Sequence, residues 1–263
     1  MLRRTLKFSS SLFRMVLMQP RPTAEAAKMI VPMARGLQFG SSARVGGKLP
    51  TETIKSETNP LRKYFDDHSE GHGIWKWLHY FDIYHRHFQS FIGRDVHMME
   101  IGIYSGGSLP MWREYFGKHC RIYGVDIEEA CEVYRSDQIE ILIGDQSDRA
   151  FWARVKKTIP RVDILIDDGG HHPEHQVITL EEMLPHLSPG GIYCCEDIHG
   201  VPNYFAAFVA GLANQMNGVR PSRLESEIHS IHFYPMMAVI EKRASELVTA
   251  SEKRGTLWQP FLN

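Results

Sequence analysis

The sequence predicts an α/β domain with a doubly wound, mostly parallel sheet that finishes on a C-terminal strand pair. Three observations predict it. Short apolar runs alternate with helical periodicities through the middle of the chain. The runs are almost wholly apolar, as strands covered on both faces are. Each run then ends in acid, glycine or histidine, the residue types that collect where such a sheet meets a ligand.

The elements follow in order. Over residues 73–91, Trp77, Tyr80, Phe81, Tyr84 and Phe88 recur at three- and four-residue spacings, which predicts one amphipathic helix with its large side chains on one face. His79, His85 and His87, interleaved there, are expected at its surface or rim. Strands are expected at 96–101, 122–127, 139–143, 162–166 and 192–195, and helices at 109–116, 150–157 and 175–187. A helix over 202–216 follows, then an apolar stretch over 228–240. Pro235 interrupts that stretch and argues for a bend or hairpin rather than one central strand.

The chain has 263 residues, 43% hydrophobic and 23% charged, which suffices for one core and a tail. No uncharged apolar run reaches the length of a membrane span. A net charge of -1 gives no electrostatic case for nucleic acid. The charge is uneven: residues 1–50 hold nine Lys/Arg and one acid, Glu25, while the remainder holds 21 bases against 30 acids. That basic leader reads as a transit peptide to an organelle matrix or stroma, mitochondrial or plastid. It reads alternatively as a disordered tail, or as sequence ahead of a true start at Met15, Met18 or Met33, and the protein is then cytoplasmic. The body is expected over 57–263, with Asn59-Pro60 at its boundary. Cys120, Cys131, Cys194 and Cys195 form no C-x-x-C pair, which fits buried free thiols in a reducing compartment.

The strand ends carry the chemistry. The first runs into Glu100-Ile101-Gly102-Ile103-Tyr104-Ser105-Gly106-Gly107-Ser108. A dinucleotide fingerprint needs glycine where Tyr104 stands, so a ligand without pyrophosphate is favoured, and Glu100 suits a cationic amino-acid group. Asp126 ends the second strand, 24 residues past Gly102, where a carboxylate accepts from ribose hydroxyls. Asp145 and Gln146 end the third, placed to hold an adenine edge. Glycine loop, ribose acid and Gly-Asp on consecutive strands point to S-adenosylmethionine. Asp168 and Asp197, at the ends of the fourth and fifth strands, offer hard oxygens to one Mg²⁺. Glu196 is a third candidate ligand, although strand alternation turns it away. The alternative is that Asp167 turns the loop and Asp197 caps the next helix. His171 follows Asp168 on a glycine-rich loop and is the candidate base, with His172 in reserve and His175 a helix-start residue.

Taken together, EIGIYSGGSLPMWREYF, YGVDI, IGDQSD, DILIDDGGHHPEHQ and LSPGGIYCCED resemble the Rossmann-like class I methyltransferases. More narrowly they are similar to the metal-dependent macrolide-sugar O-methyltransferases of the mycinamicin VI 2''-O-methyltransferase type, with cephalosporin-hydroxylase-like proteins in the wider group. The resemblance spans about residues 73–199, with GTLWQPF as a closing segment. It implies metal ligands at Asp168 and Asp197 and the base at His171. It also implies cofactor contacts at Glu100, Gly102, Ser108, Asp126, Asp145 and Gln146. The implied reaction is Mg²⁺-assisted methyl transfer from S-adenosylmethionine to a hydroxyl of a sugar or polyketide-like small molecule. Gly170 stands where the family pattern has serine. The family's N-terminal oligomerisation domain has no counterpart in the leader, so a homo-oligomer is an expectation about assembly that the resemblance does not fix. Two rival readings remain: a hydroxylase, and a non-catalytic organellar binding or assembly protein on the same fold.

Overall fold

The computed structural model describes residues 20–42, 59–216 and 227–245. The chain divides into two units between residues 55 and 56. In the first, helix α1 (Pro20–Ser42) runs for 23 residues with Pro32 inside it. Among the described residues no helix is long and apolar enough to cross a membrane. The segment GTLWQPF lies outside the described residues.

The second unit contains α2 (Pro60–Asp67), α3 (Tyr80–Phe88), β1 (His97–Ile101), α4 (Ser108–Phe116), β2 (Arg121–Asp126), β3 (Ile139–Ile143) and α5 (Arg149–Thr158). It continues with β4 (Val162–Asp167), α6 (Pro173–Met183), β5 (Leu187–Cys195), α7 (Tyr204–Gln215), β6 (Ile228–Tyr234) and β7 (Met237–Lys242). One seven-stranded sheet has the order β3-β2-β1-β4-β5-β7-β6. β1 to β5 pair in parallel, and β7 runs antiparallel to both β5 and β6. The order reverses between β1 and β4, so their carboxyl ends border a crevice.

Side-chain alternation along the strands builds two cores. Met98, Ile164, Ile166, Ile192 and Cys194 face α2, α3 and α4. Met99, Ile101, Leu165, Tyr193 and Cys195 face the layer of α5, α6 and α7. The adjacent thiols Cys194 and Cys195 therefore enter opposite cores, and all four cysteines are buried and free.

Three sequence expectations need correction. The aromatic helix begins at Tyr80, not at 73, and Trp77 is exposed outside it. The preceding segment leaves helical geometry because the Lys76 ammonium is drawn into the carboxyl edge of the sheet. His87 is buried rather than at the rim, between Glu241 and Tyr234, and burial pushes its imidazole below the usual range. β5 starts at Leu187, five positions early, because Pro189-Gly190-Gly191 is absorbed as an irregularity in its pairing with β4 instead of breaking the strand. The hairpin expected around Pro235 is present, with Tyr234 opposite Met237. Pro235 followed by Met236 at φ 61 is the pattern of a type II turn.

Local capping fixes α2 against α3. Asn59 is buried, accepts from the backbone N–H groups of Leu61 and Arg62, and donates through Nδ2 to Asp82 of α3 at 2.9 Å. Pro60 occupies the first helical turn, where its missing N–H costs nothing. Asn59→Ala removes the cap and leaves Asp82 without its partner. Its denaturation midpoint should fall by the equivalent of about 1–2 kcal/mol at unchanged slope, and an unchanged midpoint would contradict this account.

Candidate active site at the carboxyl edge of the sheet

Period-two alternation decides which acids share a face. Glu100 pairs with Ile166 across β1 and β4, and Asp167 with Cys195 across β4 and β5. One residue on, Asp168 and Glu196 fall on the face of Glu100, while Asp167 goes to the opposite core. Three carboxylates thus line up at the edge, each pushed upward in pKa first by burial and Glu196 as far as about 8. Lys76 lies among them, its side chain 4% exposed, with Nζ at 2.6 Å from Asp168, 3.0 Å from Glu196 and 3.5 Å from Glu100. Burial works to lower its pKa, but the three carboxylates outweigh it and hold the ammonium charged. Tyr84 donates to Glu196 at 2.5 Å and Ser108 to Glu100 at 2.6 Å.

Asp168, His171 and Asp197 converge beside this cage, each offering a ligand atom within 4.8 Å of the others'. His171 Nε2 is 3.8 Å from Asp197 Oδ2. The other oxygen, Oδ1, accepts from Tyr80 OH at 2.8 Å and Trp77 Nε1 at 3.2 Å. Lys76 engages only Oδ2 of Asp168. Glu196 stays outside this cluster, held by Lys76 and Tyr84. His172 and His175 stand together, rings 5.0 Å apart, and line the same cavity outside the cluster of three.

A cavity of ≈ 750 Å³ opens against the cluster, lined by Gly102, Tyr104, Asp126, Ile127, Asp145 and Gln146 among others. Asp126 spans the glycine loop: Oδ2 accepts from Tyr104 N and Oδ1 from Glu128 N, both at 3.0 Å. Asp145 is exposed to the cavity, and the Ser147 N–H holds its carboxyl below the usual range. Gln146 is committed inward, donating to Asp167 and Thr179 and accepting from Gly170 N at 2.7 Å. Its side chain shapes the loop that carries His171, and Ser108 lies behind Glu100 rather than on the cavity wall. Gly102, at φ +81, lets the first loop touch the fourth, since a Cβ there would meet Asp168 O at 2.0 Å. Tyr104, His171 and Asp197 also adopt left-handed φ of 45, 53 and 52, so strained backbone gathers at the crevice.

Sequence reasoning missed Lys76, Tyr80, Tyr84 and the exposed Trp75 at the cavity mouth. A signal existed for the lysine: alternation sends Glu100 and Glu196 to one apolar face, and such a pair demands a cation.

A reversed strand order and an antiparallel terminal pair place an acid-lined crevice at the switch point of a Rossmann-like fold. Residues 99–198 match the methyltransferase domain family. The chain is 34% identical over 205 residues to the 8-demethyl-8-α-L-rhamnosyl tetracenomycin-C 2'-O-methyltransferase of Streptomyces olivaceus, covering 66% of this chain and 53% of that one. It is 37% identical over 131 residues to the mycinamicin VI 2''-O-methyltransferase of Micromonospora griseorubida, covering 46% of this chain and 32% of that one. Among solved structures it is similar to the MycE methyltransferase of the mycinamycin biosynthetic pathway in complex with Mg, SAH and mycinamycin VI. There the TM-score is 0.61 at 25% identity, over 84% of this chain and 61% of that chain. The chain spans about half or less of the length of these curated relatives.

The lysine cage yields a stability prediction. Lys76→Met, measured with chelator present, should lose about 3–5 kcal/mol of unfolding free energy, because buried carboxylates lose their only close cation among the described residues. Adding Glu196→Gln should recover part of that loss; additive losses in the double variant would contradict the cage.

Proposed function

We propose that this protein is a Mg²⁺-assisted, S-adenosylmethionine-dependent O-methyltransferase acting on a hydroxyl of a sugar or polyketide-like small molecule. The convergence of Asp168, His171 and Asp197 at the mouth of the crevice carries the reading. Similarity to sugar O-methyltransferases, one of them solved with Mg and SAH, supports it.

The residues present fit both groups. Two carboxylates on loop positions suit a hard cation that keeps open positions for oxygen ligands; Asp168 and Asp197 would hold it, leaving the His171 imidazole free as a base. The cavity is large enough for a nucleoside joined to an amino acid. Asp126, already fixed by two backbone N–H groups, keeps lone pairs for ribose hydroxyls, and Asp145 stays ionised beside it. When bound, the sulfonium supplies the methyl group and the metal a Lewis acid that makes the acceptor hydroxyl more acidic.

The chain's own residues do the rest. His171 Nε2 accepts the hydroxyl proton, and Asp197 lies close enough to steady the imidazolium that results. Tyr80 and Trp77 fix Asp197 through its other oxygen, so the carboxylate is oriented before substrate arrives. Trp75, 85% exposed, and Tyr104, 77% exposed, present aromatic faces at the mouth, where an apolar acceptor displaces water.

The test is methyl transfer from labelled S-adenosylmethionine to a panel of glycosylated polyketides, with cofactor affinity measured in parallel. His171→Ala should lower kcat by about 10²–10⁴-fold and leave cofactor affinity unchanged. Full turnover in that variant would remove His171 from the reaction, and a wild type that binds no cofactor would overturn the methyltransferase reading itself.

A further inference from the structure

A second cluster of metal-type donors lies at the other end of the sheet. On β6, Ser230, His232 and Tyr234 alternate onto one face, and Ser230 stands opposite Glu241 of β7. His232 and Glu241 are therefore diagonal neighbours on that face. α3 brings His87 down onto them, with Nδ1 at 2.7 Å from Glu241 Oε1 and its ring centroid 4.7 Å from that of His232. His87, His232 and Glu241 each offer one ligand atom, all within 4.8 Å of one another. Tyr234 OH lies 2.9 Å from His87 Nε2, and Ser230 Oγ donates to Glu241 Oε2 at 2.8 Å.

We infer that His87, His232 and Glu241 form a second metal site, taking a divalent transition ion of the zinc type. Two imidazoles and one carboxylate make an N₂O donor set that selects zinc-type ions over Mg²⁺ or Ca²⁺. Tetrahedral ligand atoms stand about 3.4 Å apart, a spacing that small side-chain rotations reach from the present one. Ser230 and Tyr234 supply the outer hydrogen bonds that orient a carboxylate and an imidazole in such sites. An approach exists as well: a cavity of ≈ 580 Å³, lined by His87, Arg94, His229 and Glu241, adjoins the cluster. None of these residues touches the crevice. The ion would pin α3 to the β6–β7 hairpin, and the same helix holds Asp197 through Tyr80 and Glu196 through Tyr84.

The experiment is titration of the full, tag-free, chelator-stripped chain with Co²⁺ as the spectroscopic probe, then displacement by Zn²⁺, followed by visible absorbance and thermal midpoint. Wild type should give tetrahedral-type d–d bands from one ion at this cluster, apart from any Co²⁺ held by Asp168 and Asp197, and gain several degrees in midpoint. His232→Ala and Glu241→Gln should each weaken uptake by on the order of 100-fold, while Asp168→Asn keeps the signal. Failure of the wild type to give the bands would overturn the site and leave the cluster a hydrogen-bonded network only. Tetrahedral-type bands of equal intensity in His232→Ala would do the same.

Discussion

Alternation along three adjacent strands delivers Glu100, Asp168 and Glu196 to one buried edge, and the Lys76 ammonium is the counter-charge that lets them stay there. Buried like charges this close repel strongly unless a cation sits among them. The consequences extend outward from that contact. Reaching the cage pulls residues 73–78 out of helical geometry, laying Trp75 along the crevice mouth and Trp77 against Asp197. Trp77, together with Tyr80 at the start of α3, then fixes Asp197. Asp168 belongs both to the cage and to the candidate metal cluster, so the position of one cation conditions the site of the other.

Strained loops carry the rest of the site. Tyr104, His171 and Asp197 hold left-handed backbone without being glycine, which costs of order 1–3 kcal/mol each. Packing fixes them: the first loop presses on the fourth at Gly102, and Gln146 grips the fourth from the third. Met236, left-handed too, joins the hairpin turn to the crevice through its carbonyl, which accepts from Ile198 N and lies 3.1 Å from Tyr80 OH. The crevice is thus preorganised by loops bracing one another.

Much of this was legible in the sequence because its signals are local. Buried parallel strands read as apolar runs, and their carboxyl ends are where Asp126, Asp145, Asp168, His171 and Asp197 stand around one cavity. Glu196 shares the face of Asp168, and its hydrogen bonds to Lys76 and Tyr84, rather than alternation, keep it out of the metal cluster. What stayed hidden depends on distant partners. Lys76 reads as one charge in an aromatic helix until strands β1, β4 and β5 come together. Gln146 lines the cavity and its side chain also braces Gly170 from a distant loop, while Ser108 holds Glu100 from behind. The burial of His87 requires a hairpin about 150 residues further along, which no helical periodicity encodes.

In the proposed mechanism one site binds a sulfonium cofactor and a metal through different residues. Titration calorimetry of the full chain, first with S-adenosylmethionine and then with Mg²⁺, tests this most directly when wild type is compared with Asp197→Asn. The account predicts cofactor heat in both proteins and Mg²⁺ heat in the wild type alone. No cofactor heat in the wild type, or an unchanged Mg²⁺ response in Asp197→Asn, would contradict it.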